Sequence, residues 1–76
     1  MMQIDLELDT CGLHCPLPLL RLKKALQNLA SGQVVRVLAT DPAAVLDFGV
    51  FLEQAGHALL ERSQTDHVLS FVIRKG

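Results

Sequence analysis

Asp9-Thr10-Cys11-Gly12-Leu13-His14-Cys15-Pro16-Leu17-Pro18 joins two different hydrophobic periodicities and so decides the architecture of the chain. Before it, residues 3–9 alternate strictly, with Ile4, Leu6 and Leu8 on one side and Asp5, Glu7 and Asp9 on the other. That is the two-residue period of a half-buried strand. After it, Leu19, Leu22, Leu26 and Leu29 recur at helical spacing, so the junction runs from strand to helix. Two prolines two apart normally forbid a helix. At its first and third positions they are tolerated, because the backbone N–H groups there lack intrahelical acceptors and the ring holds φ near the helical value. On this reading the helix runs from about Pro16 to Ala30 with Cys15 as its N-cap, and Ser31-Gly32 stops it through a left-handed cap.

Working outward, Val34 to Ala39 is a short, mostly β-branched run that reads as an interior strand. Thr40-Asp41-Pro42 repeats the start signal, with Asp41 as cap and Pro42 at the first helical position. The second helix should reach about Ala55 on a core stripe of Ala44, Phe48, Phe51, Leu52 and Ala55, although Asp47 followed by Gly49 could restart it one turn later. His57 to Ser63 and His67 to Arg74 are then β-type runs separated by Gln64-Thr65-Asp66, a hairpin. The order is βαβαββ. It predicts a single α+β domain over residues 1–76, a two-layer sandwich with a mixed four-stranded sheet and both helices on one face. Val34, Arg36 and Leu38 should lie on the other face, open to solvent or to a partner.

Composition narrows the function. In 76 residues about 60% of the unfolded chain's surface is buried on folding, which leaves a shallow core and little room for an enclosed catalytic pocket. Half of the residues are hydrophobic and only 4% are aromatic, with no Trp or Tyr, so the core is aliphatic and base-stacking platforms are not expected. Seven Lys/Arg against eight Asp/Glu give a net charge of −1, which lends no support to direct nucleic-acid binding. Neither a signal peptide nor a membrane span is visible, which points to a reducing cytoplasmic setting and two free thiols. A multi-turnover enzyme with a pocket, a bound cofactor and a resident metal are all unexpected, and the domain is expected to be monomeric.

Cys15 is the residue this arrangement singles out. At the N-cap its sulfur would project from a stiff first turn, where the helix dipole favours thiolate over thiol. Pro18 removes the third N–H of the helix, so only Leu17 could donate to the sulfur, and moderate activation is the expectation. His14 is the one nearby side chain that could add positive charge. His57 and His67 flank or begin strands and read as surface histidines.

The junction resembles the signature of the TusA-like (SirA-like) sulfur-carrier family, Asp-x-x-Gly-x-x-Cys-Pro-x-Pro, which Asp9, Gly12, Cys15, Pro16 and Pro18 match in full. The likeness extends through Asp41-Pro42, Asp47 and the closing Ile73-Arg74-Lys75-Gly76, with Gly49 standing where the family's proline is expected. The resemblance implies that Cys15 carries sulfane sulfur as a persulfide. A cysteine desulfurase or rhodanese-type donor would supply it, and a sulfur-acceptor protein would receive it. Thiouridine synthesis in tRNA, molybdenum-cofactor maturation and sulfur oxidation are the pathways that carriers of this kind serve. Thiolate attack on a persulfide needs access and a leaving group rather than a deep pocket, which suits so small a domain.

Around Cys15 the residues keep more than one meaning. On the first helix Leu17 and Leu20 fall opposite the core stripe beside Arg21 and Lys24, either as a docking patch or as a solvated face. Cys11 occupies a variable position of the pattern and has three readings: an apolar filler of the loop, a resolving thiol toward Cys15, or a metal ligand with His14. Asp9 either accepts from loop N–H groups or moves protons, and Gly12 supplies a backbone conformation closed to other residues. Asp41 reads as a helix cap before a functional carboxylate, and Arg74 and Lys75 either steer an acidic partner or form a solvated tail. Two alternatives to the carrier remain, a binding or regulatory module on the same fold and a Cys11/Cys15 thiol-disulfide switch.

Overall fold

A helix between two strands brings them side by side and parallel, and a tight turn makes its two strands antiparallel; both rules operate in this chain. The computed structural model describes residues 3–76. The elements are β1 (Leu6–Thr10), α1 (Leu17–Gln27), β2 (Val34–Ala39), α2 (Ala44–Ala55), β3 (Ala58–Thr65) and β4 (Val68–Arg74). They form one mixed sheet in the order β1-β2-β4-β3, with β1 parallel to β2 and the other two pairs antiparallel. The βαβαββ order and the two-layer α+β architecture expected from the sequence are therefore present. Among the described residues no helix is long and apolar enough to cross a membrane.

The register explains how an aliphatic chain closes its core. Leu6, Leu8 and Thr10 stand opposite Val35, Val37 and Ala39, which stand opposite Ile73, Phe71 and Leu69. Alternate positions thus make one continuous face, which Leu22 and Leu26 of α1 and Ala44, Phe48 and Leu52 of α2 cover. Phe48 meets Phe71 edge to face with ring centroids 4.8 Å apart. Thr10 is the polar member of the layer, and its hydroxyl donates to the Leu38 carbonyl at 2.6 Å. On the opposite face Arg36 pairs with Glu7 at 2.9 Å, and Val34 is buried there rather than left to solvent.

Several element boundaries move, each for a local reason. α1 ends at Gln27 with Asn28 as its cap. Gly32 does adopt a left-handed φ of 90°, but in the turn entering β2, where its N–H donates to the Lys75 carbonyl. α2 runs unbroken through Asp47 and Gly49, so no restart occurs, and its buried stripe is Ala44, Phe48 and Leu52, with Ala55 exposed at its last position. The hairpin turn is Asp66-His67 rather than three residues, with Thr65 paired to Val68 and Asp66 at φ 56°. Asp is among the side chains that tolerate that conformation. Lys75 is no free tail: its N–H donates to Gln33, and its ammonium donates to the Leu29 carbonyl at 2.7 Å.

Candidate functional site

Because β1 and β2 are parallel, their C-terminal ends lie together, and the loops that leave them meet. This is the end of a sheet at which α/β folds generally place ligand chemistry. Three contacts hold the β1–α1 loop against the segment that leads into α2 and the first turn of that helix, and one more closes the loop on itself. Gly12 takes φ 83°, open to glycine at little cost, and its N–H donates to the Thr40 hydroxyl at 2.8 Å. The Leu13 N–H donates back to the Thr10 carbonyl at 3.2 Å. The Cys15 N–H donates to Asp41 Oδ2 at 2.6 Å, and Cys15 Sγ lies 3.0 Å from Asp47 Oδ2 as donor.

Asp41 serves two segments at once. One oxygen accepts from Cys15, and the other accepts from the Ala43 N–H at 3.0 Å, which starts the turn leading into α2. The cap role assigned to Asp41 is present one turn ahead of the regular helix. The Ala43 N–H, then the Cys15 N–H, hold its carboxyl below the ordinary carboxylate range, and the charge of His14 adds to this.

Cys15 is not the N-cap of α1. Pro16 occupies that position without a side-chain cap, Leu17 and Pro18 take the first two helical places, and the Leu17 N–H donates to the His14 carbonyl at 2.8 Å. The sulfur therefore receives no backbone donor from the helix and instead donates its S–H to Asp47 Oδ2. That hydrogen bond holds the thiol above the ordinary cysteine range, with slight desolvation and the charges of Asp47 and Asp41 acting in the same direction. The sulfur is exposed, but the moderate activation expected from the sequence is replaced by a thiol hydrogen-bonded to Asp47.

Cys11 is exposed and free as well. Its N–H donates to Asp9 Oδ1 at 2.9 Å, and the Asp9 carboxylate beside its thiol raises its pKa, while Asp9 is lowered chiefly by the Cys11 N–H. Exposure removes the reading of Cys11 as a buried filler. Among the described residues no group of three or more His, Cys, Asp and Glu gathers as a metal site would. Pro18 is buried at the foot of α1, whereas Leu17 and Leu20 are 47% and 51% exposed on the same helix that carries exposed Arg21 and Lys24. His57 and His67 lie outside this cluster. His57 accepts from the Gly76 N–H at 3.0 Å.

Thr40 and Asp47 are the members of the cluster that the sequence offered only as helix-start signals and, for Asp47, as part of the family likeness, not as site residues. The signal was topological. A parallel strand pair obliges the start of α2 to lie beside the end of β1, so polar residues at the head of α2 face the Cys15 loop.

The fold and the cluster define a small α+β domain that holds an exposed thiol, Cys15, where its two loops meet. The comparisons give that class a family. The model of the family described as Sulfurtransferase TusA matches residues 6–75. The chain is 48% identical over 75 residues to the sulfur carrier protein TusA of Allochromatium vinosum, covering 99% of each chain. It is 38% identical over 71 residues to the sulfur carrier protein TusA of Pseudomonas putida, covering 93% of this chain and 89% of that one. A crystal structure of a SirA-like protein from Desulfitobacterium hafniense matches with a TM-score of 0.83 at 32% identity, over 93% of this chain and 97% of that one. This chain belongs to the TusA family.

Proposed function

We propose that the protein is a sulfur carrier that holds sulfane sulfur as a persulfide on Cys15, taking it from a cysteine desulfurase or rhodanese-type donor and giving it to a cysteine of an acceptor protein. The observation that carries this reading is the exposed Cys15 thiol, tied by its backbone to Asp41 and by its sulfur to Asp47 on a TusA-family scaffold.

In the loading step the Cys15 thiol gives up its proton, and its electron pair forms a bond to the donor's sulfane sulfur. The donor's own S–S bond breaks, and its electron pair leaves as the donor thiolate, which takes up the proton. One sulfur atom changes thiols with no net oxidation. Unloading repeats the exchange with the acceptor cysteine as nucleophile. An exposed thiol suits this chemistry because both partners must reach the same sulfur.

Docking falls to the exposed face of α1. Leu17 and Leu20 offer apolar surface next to the loop, and Arg21 and Lys24 complement an acidic partner. Asp9 and Gly12 shape the loop, and Pro16 and Pro18 stiffen the entry into α1. The test is to incubate the protein with a cysteine desulfurase and cysteine and to weigh it intact. Wild type and Cys11→Ser should gain one or more sulfur atoms, and Cys15→Ser should gain none. A wild type of unchanged mass ends the proposal, and a loss of two protons that either substitution prevents replaces it with the disulfide switch.

A further inference from the structure

Asp47 stands at an unusual place for a reactive sulfur, since an anion beside a thiol opposes the thiolate that the chemistry requires. We propose that Asp47 is a positioning residue that latches the unloaded carrier: it holds the Cys15 sulfur as a hydrogen-bonded thiol, unreactive toward small electrophiles, until a docked partner displaces or neutralises the carboxylate. The inference rests on the carrier reading for its purpose, but the latch is a property of the unloaded protein.

The geometry supplies both halves of this device. Cys15 Sγ lies 3.0 Å from Asp47 Oδ2, and the contact is attractive only while the sulfur bears a proton. Asp47 belongs to the first turn of α2, while Cys15 lies in the loop before α1. Two separate segments thus close on the sulfur, and Asp41 fixes the Cys15 backbone at 2.6 Å so that the thiol cannot drift from its acceptor.

The charged groups around the sulfur are few. Asp47 faces it from α2, Asp41 from the β2–α2 loop, and His14 on the sulfur's own loop lies close enough to act on Asp41. Lys23 of α1 lines the same shallow groove as Asp47, together with Leu19, Leu46 and Val50. Among the described residues no cation is paired with Asp47, and its carboxylate hydrogen-bonds the sulfur.

Loading reverses the sign of the contact. In the persulfide the inner sulfur has no proton, so its lone pairs meet the carboxylate and are repelled. The outer sulfur sits a further ~2 Å along the S–S bond, beyond the position from which Asp47 holds the thiol. The loaded arm is thereby released toward solvent and the acceptor, whereas the empty arm is drawn back. A carrier with this contact distinguishes its two states without a change of fold.

The test uses the whole chain in a Cys11→Ser background, so that only Cys15 reports, and measures the rate of alkylation by iodoacetamide as a function of pH. Asp47→Asn keeps the shape but removes the charge. It should move the midpoint of the profile down and raise the rate at neutral pH by on the order of tenfold. Asp47→Glu should keep the parent's midpoint, which a residue needed only for stability would not require. Superimposable profiles for parent and Asp47→Asn overturn the latch.

If Asp47→Asn does not fold, the parent's own midpoint is followed against salt. A fall as salt screens the carboxylate supports the latch, and a midpoint independent of salt overturns it. Loading by a desulfurase is scored separately. A protein that alkylates as expected but never gains sulfur refutes the carrier reading and leaves the latch standing, and the reverse pair of results does the opposite.

Discussion

Cys11 and Cys15 lie four residues apart in one loop, and each thiol faces an aspartate, yet the two are held in different ways. Cys11 depends on Asp9, two residues back near the end of β1. Cys15 depends on Asp41 and Asp47, 26 and 32 residues away on the other side of the α1–β2 unit. A contact two residues long forms in any chain that makes the turn. A contact that spans a helix and a strand exists only when the sheet and both helices are in place. The second thiol is therefore the one whose chemistry the fold governs, and the first is governed by its own loop.

The largest effect that separates the two is on sulfur loading. Cys15→Ser should abolish the mass gain from a desulfurase, and Cys11→Ser should leave it intact. Equal losses in both variants would erase the distinction.

Next in size is thiol reactivity. Asp9→Asn should speed alkylation of Cys11 at neutral pH by on the order of tenfold and leave Cys15 unaltered, as expected when one carboxylate acts on one neighbour. Peptide mapping of the alkylated protein assigns each rate. If Cys15 responds to Asp9→Asn, the two thiols share an environment and the local-versus-distant contrast fails.

The shared loop offers smaller effects. Gly12→Ala meets no atom within 4 Å, so its cost is conformational alone, about 1–2 kcal/mol for a side chain forced to positive φ. Chemical denaturation measures it, and Cys15 alkylation should accelerate as the loop loosens its hold. Thr10→Val keeps the volume but removes the hydroxyl that reaches the Leu38 carbonyl, at a cost of about 1 kcal/mol.

The smallest effect is the pH dependence of stability. Asp9 and Asp41 are lowered in the fold, so their contribution is present above the ordinary carboxylate range and is lost as pH falls through their folded values. The two thiols are raised, so theirs is present below the ordinary cysteine range and is lost as pH rises through their folded values. Thermal melts should plateau near neutrality and decline on both sides. A melting temperature that climbs steadily into alkali would contradict the thiol half.

What the sequence made legible follows the same division between near and far. Alternation over residues 3–9, leucines at helical spacing and the β-branched run at Val34 are local patterns, and they yield the element order and the shared helix face. The Asp9-to-Pro18 signature likewise lies within ten residues, so the Cys15 loop could be located.

The partners of Cys15 were harder to read. Asp41 looks like a cap because capping is a local act, and its second bond to Cys15 leaves no trace in spacing. Asp47 looks like a possible helix restart beside Gly49 until α2 is seen to pass through both. The same limit placed Cys15 at the N-cap: proline at the first helical position is the common arrangement, and only the assembled turn shows Pro16 one place earlier.

The parallel pairing of β1 with β2 has one further consequence, for how the molecule can be attached to other things. The chain enters β1 at Leu6 and leaves β4 at Arg74; Leu6 stands opposite Val35, Arg74 opposite Val34, and Thr10 opposite Ala39 at the far end of the same ladder. Entry and exit thus lie together, and the thiol loop lies at the opposite pole. A fluorescent label, an affinity handle or a fused domain joined at either place would trail behind the molecule and leave Cys15 at its leading tip, free to be offered to one partner after another.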